Sequence, residues 1–221
     1  MQERYIRNIG ALTEEECLAL RSKTVFVAGC GGLGGHVIDM LLRLGIGTIR
    51  CADGDTFDVT NLNRQLLSGE DVIGKNKALT AKEHALRINS SVNFEYYDTF
   101  IDAGNASLMI NGCDAVIDAL DSGEARKILK AACDARSIPY IYGAVGDWTS
   151  MAAVSLPGDG LIDMIYPDGS ASYSKSTLAF TPALCASMQC ALCVKLLCNR
   201  NVTPGKLYYF DLNDFDFEIL S

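Results

Sequence analysis

Gly29-Cys30-Gly31-Gly32-Leu33-Gly34 decides the fold. It follows a short apolar run, Thr24-Val25-Phe26-Val27-Ala28. It precedes a segment from His36 to Leu44 in which Val37, Met40, Leu41 and Leu44 recur at helical spacing. A strand, a glycine turn and a helix therefore stand in immediate succession. In that order the glycines permit a tight turn and close backbone approach, and the helix N-terminus offers free N–H groups and partial positive charge to a phosphate. Asp53 ends the next β-rich run, roughly 20 residues after the turn, where a carboxylate can accept from ribose hydroxyls.

Outward from the turn, strand-like and helix-like stretches alternate. Ile49–Ala52, Phe94–Tyr97 and Ala115–Asp118 read as strands, and Lys75–Asn89 and Gly123–Arg136 as helices. This alternation predicts an α/β fold, a Rossmann-like and mostly parallel doubly wound sheet. Later runs, Tyr140–Ala144, Met151–Ser155, Lys206–Phe210 and Asp216–Ile219, have no helix between some neighbours, so an antiparallel C-terminal extension is expected. Between about 157 and 182 lies a Gly-, Ser-, Asp- and Pro-rich stretch with little periodicity, expected to be a long functional loop. No linker divides residues 1–221, and one domain is expected.

The chain has 221 residues, 49% apolar and 21% charged, with 27 acidic against 19 basic residues and a net charge of -8. That field opposes nucleic acid and anionic membranes, so neither is expected as a partner. Nine cysteines with no apolar signal region in Met1-Gln2-Glu3-Arg4-Tyr5 point to the cytoplasm rather than to a disulfide framework. Leu178–Cys198 is interrupted by polar residues and Pro182, and reads as a buried helix rather than a membrane span.

Glycine turn plus acid is compatible with an NAD-type oxidoreductase. The following segment, Asp53-Gly54-Asp55-Thr56-Phe57-Asp58-Val59-Thr60-Asn61-Leu62-Asn63-Arg64-Gln65, argues otherwise, because it crowds polar and basic groups at the exit of the second strand. Arg64 suits bidentate phosphate contact and Lys77 a point-charge contact, neither of which hydride transfer requires on the pyrophosphate side.

These residues, together with Arg4-Tyr5-Ile6-Arg7-Asn8, Gly74-Lys75-Asn76-Lys77, Val116-Ile117-Asp118-Ala119-Leu120-Asp121 and the Gln189–Lys195 stretch, resemble the ThiF/MoeB/HesA family, bacterial relatives of the ubiquitin-activating enzymes. The resemblance implies an ATP-dependent adenylyltransferase acting on the C-terminal carboxylate of a small ubiquitin-like protein of ThiS or MoaD type, ending in Gly-Gly. It implies that Gly29, Gly31, Gly32 and Gly34 form the nucleotide turn, and that Asp53 holds the ribose, with Asp55 beside it. Asn61, Arg64 and Lys77 would grip the triphosphate, and Asp121 would bind Mg2+. Arg7 would reach the ATP of the partner subunit in a homodimer. A non-catalytic partner subunit is the other family reading. Retention of Arg7, Arg64, Lys77 and Asp121 together argues against it.

The chain departs from the family pattern in three places. Many relatives carry two Cys-x-x-Cys pairs for zinc, yet no Cys lies between Cys133 and Cys185, so zinc is not expected. Cys190 and Cys193 read as buried thiols, Cys30 as a packing residue, and His36 and His84 as helix-surface residues. The loop cysteine that some relatives use for thioester or persulfide chemistry is missing, Ser174-Lys175-Ser176-Thr177 standing near that point. Ser122 replaces the Asn that usually follows the metal-binding Asp. The acceptor stays open among a thiamine, molybdopterin or cysteine-pathway carrier, a peptide, and a tRNA-linked carboxylate.

Overall fold

The computed structural model describes residues 3–167 and 176–220. After a 3-10 turn at Glu3–Asn8, the elements are α1 (Glu14–Leu20), β1 (Thr24–Ala28), α2 (Gly32–Leu44), β2 (Thr48–Ala52), α3 (Lys77–Ile88), β3 (Asn93–Tyr97), α4 (Ala106–Met109) and β4 (Ala115–Asp118). They continue as α5 (Gly123–Ala135), β5 (Tyr140–Gly146), β6 (Thr149–Ser155), α6 (Leu161–Ile165), α7 (Phe180–Leu197), β7 (Leu207–Asp211) and β8 (Asp216–Leu220).

One eight-stranded sheet runs in the order β3-β2-β1-β4-β5-β6-β7-β8. The strands from β3 to β5 pair in parallel, and β5 to β8 pair antiparallel. The mixed sheet read from the sequence is therefore present. It reverses winding direction between β1 and β4, which opens a crevice beyond their C-terminal ends.

Alternation along β1 serves two cores. Val25 and Val27 pack into a cluster with Val37, Ile38 and Leu41 of α2 and Cys185 and Cys193 of α7, while Phe26 and Ala28 join Met109, Leu129, Cys133 and Ile162 in another. All four β1 side chains are fully buried. This is why parallel strands covered on both faces read as continuous apolar runs.

Helix α7 is apolar all round, with a mean hydropathy of 1.5 over its 18 residues, yet half of it is buried within the protein against α2, β5 and β6. It begins at Phe180, before Pro182, because proline in the first helical turn forfeits no hydrogen bond. The expected loop is thus shorter than its composition suggests and also contains α6. Residues 168–175, with Ser174 and Lys175 among them, lie outside the described residues.

Two further expectations need correction. Helix α3 starts at Lys77 rather than Lys75, because the Asn76 side chain caps it by accepting from Leu79 N–H at 2.9 Å. His84 is no free surface residue: its side chain is 17% exposed and its Nε2 lies 2.9 Å from Asp39 Oδ1, joining α3 to α2. His36 is likewise half-buried.

Candidate active site

The strand-end crevice is a cavity of about 510 Å³. Gly29, Gly31, Gly32, Asp53, Asp55, Arg64, Lys77 and Asp121 all line it, so eight separately expected residues converge.

The four motif glycines divide by physical cause. Gly29 has φ +95°, and a Cβ on it would lie 2.7 Å from Ala119 O. A Cβ on Gly34 would sit 1.9 Å from Gly29 O, so this glycine lets α2 lie against its own turn rather than facing the cavity. At Gly31 and Gly32 a Cβ would meet only ordinary contacts, at 3.6 Å and 3.7 Å. The protein's own packing does not demand these two; what they keep open is the floor of the cavity. No side chain caps α2, whose first N–H groups therefore remain available beside Gly32 and Leu33.

Asp53 ends β2 and is oriented by backbone. Its Oδ2 accepts from Cys30 N–H at 2.7 Å and its Oδ1 from Asp55 N–H at 2.9 Å. Burial raises its pKa, against the opposing pull of these donors and of Lys77. Each oxygen retains a lone pair with which to accept from a hydroxyl.

Lys77 is 6% exposed at the first position of α3, an unfavourable end of the helix dipole for a cation. Its Nζ donates to Asp55 Oδ2, and this bond holds the Asp55 carboxyl below its ordinary value. Asn76 places the pair, donating from Nδ2 to Asp53 O at 2.9 Å and to Asp98 Oδ1 at 2.6 Å.

Arg64 donates from Nη1 to Thr60 O and to Asn63 Oδ1, both at 2.8 Å. These bonds use one guanidinium nitrogen and leave Nη2 and Nε uncommitted among the described residues. Asn63 in turn donates to Thr177 O at 3.1 Å, tying this loop to the segment entering α7.

Asp121 follows β4 and is exposed in the cavity wall, with no hydrogen bond or ion pair to another described residue. A free carboxylate suits Mg2+, which is held by one or two carboxylates plus substrate phosphates and water, and the uncapped α2 N-terminus in the same cavity suits the phosphates. The donor set therefore fits magnesium nucleotide.

Besides Gly34, two expected residues lie outside the cavity lining. Asn61 is buried and does not line the cavity; its Oδ1 accepts from Asp58 N–H at 3.1 Å in a capping box that shapes the Arg64 loop. Arg7 is exposed on the N-terminal 3-10 turn and does not line this chain's cavity either. The turn is fastened by Tyr5, which is 3% exposed and whose hydroxyl accepts from Asn89 Nδ2 at 2.7 Å.

The sequence reading assigned no role to Gln65 or Arg126, both of which line the cavity. Gln65 is 8% exposed, and its Oε1 is buried near Gly31 without a hydrogen-bond partner among the described residues. Arg126 is 4% exposed. Its signal was available: it shares the buried stripe of α5 with Gly123, Leu129 and Cys133, where an arginine requires a polar reason. Cys185, Cys190 and Cys193 are buried, and burial pushes the Cys185 and Cys193 thiols up to about 12. Among the described residues no group of three metal-ligating side chains is present.

The chain is similar to several known proteins. The chain is 29% identical over 206 residues to the SAMP-activating enzyme E1 of Haloferax volcanii, covering 90% of this chain and 76% of that protein. It is 31% identical over 135 residues to the sulfur carrier protein adenylyltransferase of Thermus thermophilus, covering 61% of this chain and 50% of that one. It is 36% identical over 157 residues to the tRNA threonylcarbamoyladenosine dehydratase of Haemophilus influenzae, covering 70% and 60%. The chain thus spans between half and three quarters of these three relatives. A crystal structure of E. coli MccB with ATP shares the fold, with a TM-score of 0.85 at 23% identity, covering all of this chain and 72% of the other. The ThiF family matches residues 5–221, from the buried Tyr5 through the whole sheet, and the chain belongs to that family.

Proposed function

We propose that the protein is an ATP-dependent adenylyltransferase that activates the C-terminal carboxylate of a small ubiquitin-like or sulfur-carrier protein and releases pyrophosphate. The observation that carries this reading is the convergence of Arg64, Lys77 and Asp121 on one cavity floored by Gly31, Gly32 and the uncapped start of α2. Relatives named as activating enzymes and adenylyltransferases support it.

Attack of a carboxylate on the α-phosphate brings anions together, so catalysis rests on preorganised positive charge. Asp53 holds the ribose, and the α2 N–H groups, Arg64 and Lys77 hold the phosphates. Asp121 would hold magnesium, which would supply positive charge to the pyrophosphate side of the reaction. No side-chain base is needed, because the nucleophile is already ionised at neutral pH. With Cys185, Cys190 and Cys193 buried, the chain stops at the acyl-adenylate, which a separate sulfur donor or amine captures.

A protein carrier is favoured over a tRNA-linked acceptor by the net charge of -8. A homodimer accords with exposed Val59, Leu62, Leu66 and Ile73 in the segment between β2 and α3, and with an outward-facing Arg7. Nine unpaired cysteines accord with the cytoplasm.

The test is exchange of labelled pyrophosphate into ATP with a small Gly-Gly-terminated protein as acceptor. Acceptor-dependent exchange is expected, falling at least about 100-fold in Asp121→Ala. Undiminished exchange in that variant removes the metal assignment.

A further inference from the structure

The turn that carries Asp121 is held from behind. Leu120, the residue before it, has both backbone polar groups engaged: its N–H donates to Asp118 Oδ1 at 2.9 Å, and its carbonyl accepts from Arg126 Nη2. The same guanidinium lies 3.4 Å from Asp118 Oδ2 through Nη1, and Nη1 donates to the Tyr166 hydroxyl at 2.7 Å. Tyr166 in turn lies 2.8 Å from the Tyr142 hydroxyl, and both rings flank the guanidinium at 5.0 Å and 5.3 Å from their centroids. Asp118, Tyr142 and Tyr166 are at most 1% exposed, so none of these contacts is screened by water.

Tyr166 does not line the cavity. It directly follows α6 and stands at the base of the segment that leads to α7. A buried arginine thus joins the metal-bearing turn on one side to the start of the crossover segment on the other. Planar guanidinium is suited to this task, since its fork reaches a carbonyl, a carboxylate and a phenol in fixed directions at once, which an ammonium cannot do.

We propose that Arg126 is a positioning residue that sets the magnesium affinity of the nucleotide site by fixing Leu120–Asp121, and that the Tyr166 hydroxyl is its outer anchor. The inference rests on the reading of Asp121 as the metal-binding residue. Arg126 contacts neither phosphate nor metal in this account. A carboxylate that must meet an octahedral ion at short distance gains from a backbone that does not drift.

The experiment measures binding of a nonhydrolysable ATP analogue to the full chain by calorimetry across a magnesium series, alongside melting temperature. Tyr166→Phe keeps both rings and the packing and removes one acceptor. Arg126→Lys keeps the charge beside Asp118 and removes the fork, so neither variant strands a buried carboxylate. Both are expected to need about fivefold more magnesium for half-saturation, the size of one lost hydrogen bond, while magnesium-free analogue affinity is unchanged. Asp121→Asn is the reference, in which magnesium no longer improves binding. If magnesium does not improve analogue binding in the wild-type protein, the functional reading falls and this tie with it. If it does improve binding, and both variants titrate as wild type, the tie alone is overturned.

Discussion

Lys77 and Asp55 form an ion pair inside the nucleotide crevice, with the lysine buried and the aspartate side chain 56% exposed. The asymmetry matters. Asp55 can exchange its partner for water when phosphate arrives, whereas Lys77 has no solvent to retreat into, so the pair stores a cation rather than neutralising it. Lys77→Met, which keeps the stem and loses the charge, is expected to weaken ATP binding by about 10- to 100-fold, the range for a hydrogen bond to a charged group. Calorimetry decides it, and unchanged affinity would make the lysine a purely structural partner.

The glycine turn separates folding from binding. Gly34→Ala places a methyl 1.9 Å from Gly29 O, so the expected outcome is loss of soluble, cooperatively folding protein. Gly32→Ala places it 3.7 Å from its nearest neighbour and should leave the melting temperature within a few degrees while lowering ATP affinity. Parallel thermal melts and nucleotide titrations check the contrast. Equal effects at the two positions would show that both glycines serve packing alone.

The N-terminal arm is fastened to its own subunit by Tyr5, against which a Cβ on Gly45 would clash at 2.6 Å, and this leaves Arg7 facing outward. If Arg7 completes the site of a partner subunit, mixing Arg7→Ala with Arg64→Ala protein should restore pyrophosphate exchange at one of the two sites of a mixed dimer. Mixed dimers without restored exchange would place Arg7 in its own subunit or outside the reaction.

No covalent intermediate on this chain is expected. Thiols held near pKa 12 by burial are almost entirely protonated at neutral pH, and the thiolate is the nucleophile. Intact-mass analysis after incubation with ATP and acceptor should show unmodified protein, with Cys185→Ser retaining exchange activity. A thiol-sensitive adduct lost in Cys185→Ser would overturn both the burial argument and the mechanism.

Much of this was legible because local pattern and tertiary role coincide. Strands β1, β4 and β5 carry consecutive buried residues and so are covered on both faces, and short apolar runs mark them with little ambiguity. Arg64 and Lys77 were legible as candidate phosphate cations because they stand within motifs, and both line the cavity. Helix α1 was missed, although its Thr13 and Glu16 form a reciprocal capping box that the sequence displays. Helices α4 and α6 are too short for periodicity to register. Arg126 and Gln65 escaped for a different reason: what matters about them is partners 40 residues away in Tyr166, or a partner missing altogether, and no local spacing encodes either. The family resemblance assigned Asn61 to the triphosphate, whereas here its Oδ1 accepts from Asp58 N–H within its own 3-10 turn.

The change of strand direction after β5 has an evolutionary corollary. Every strand whose end builds the nucleotide crevice precedes Asp147, whereas β7 and β8 form an antiparallel hairpin at the far edge of the sheet, with Phe217 stacked over Tyr208. Exchanges confined to that hairpin leave the register between β1 and β4 untouched, since neither strand pairs with them. Lineages can therefore alter β7 and β8 without displacing any residue that lines the crevice.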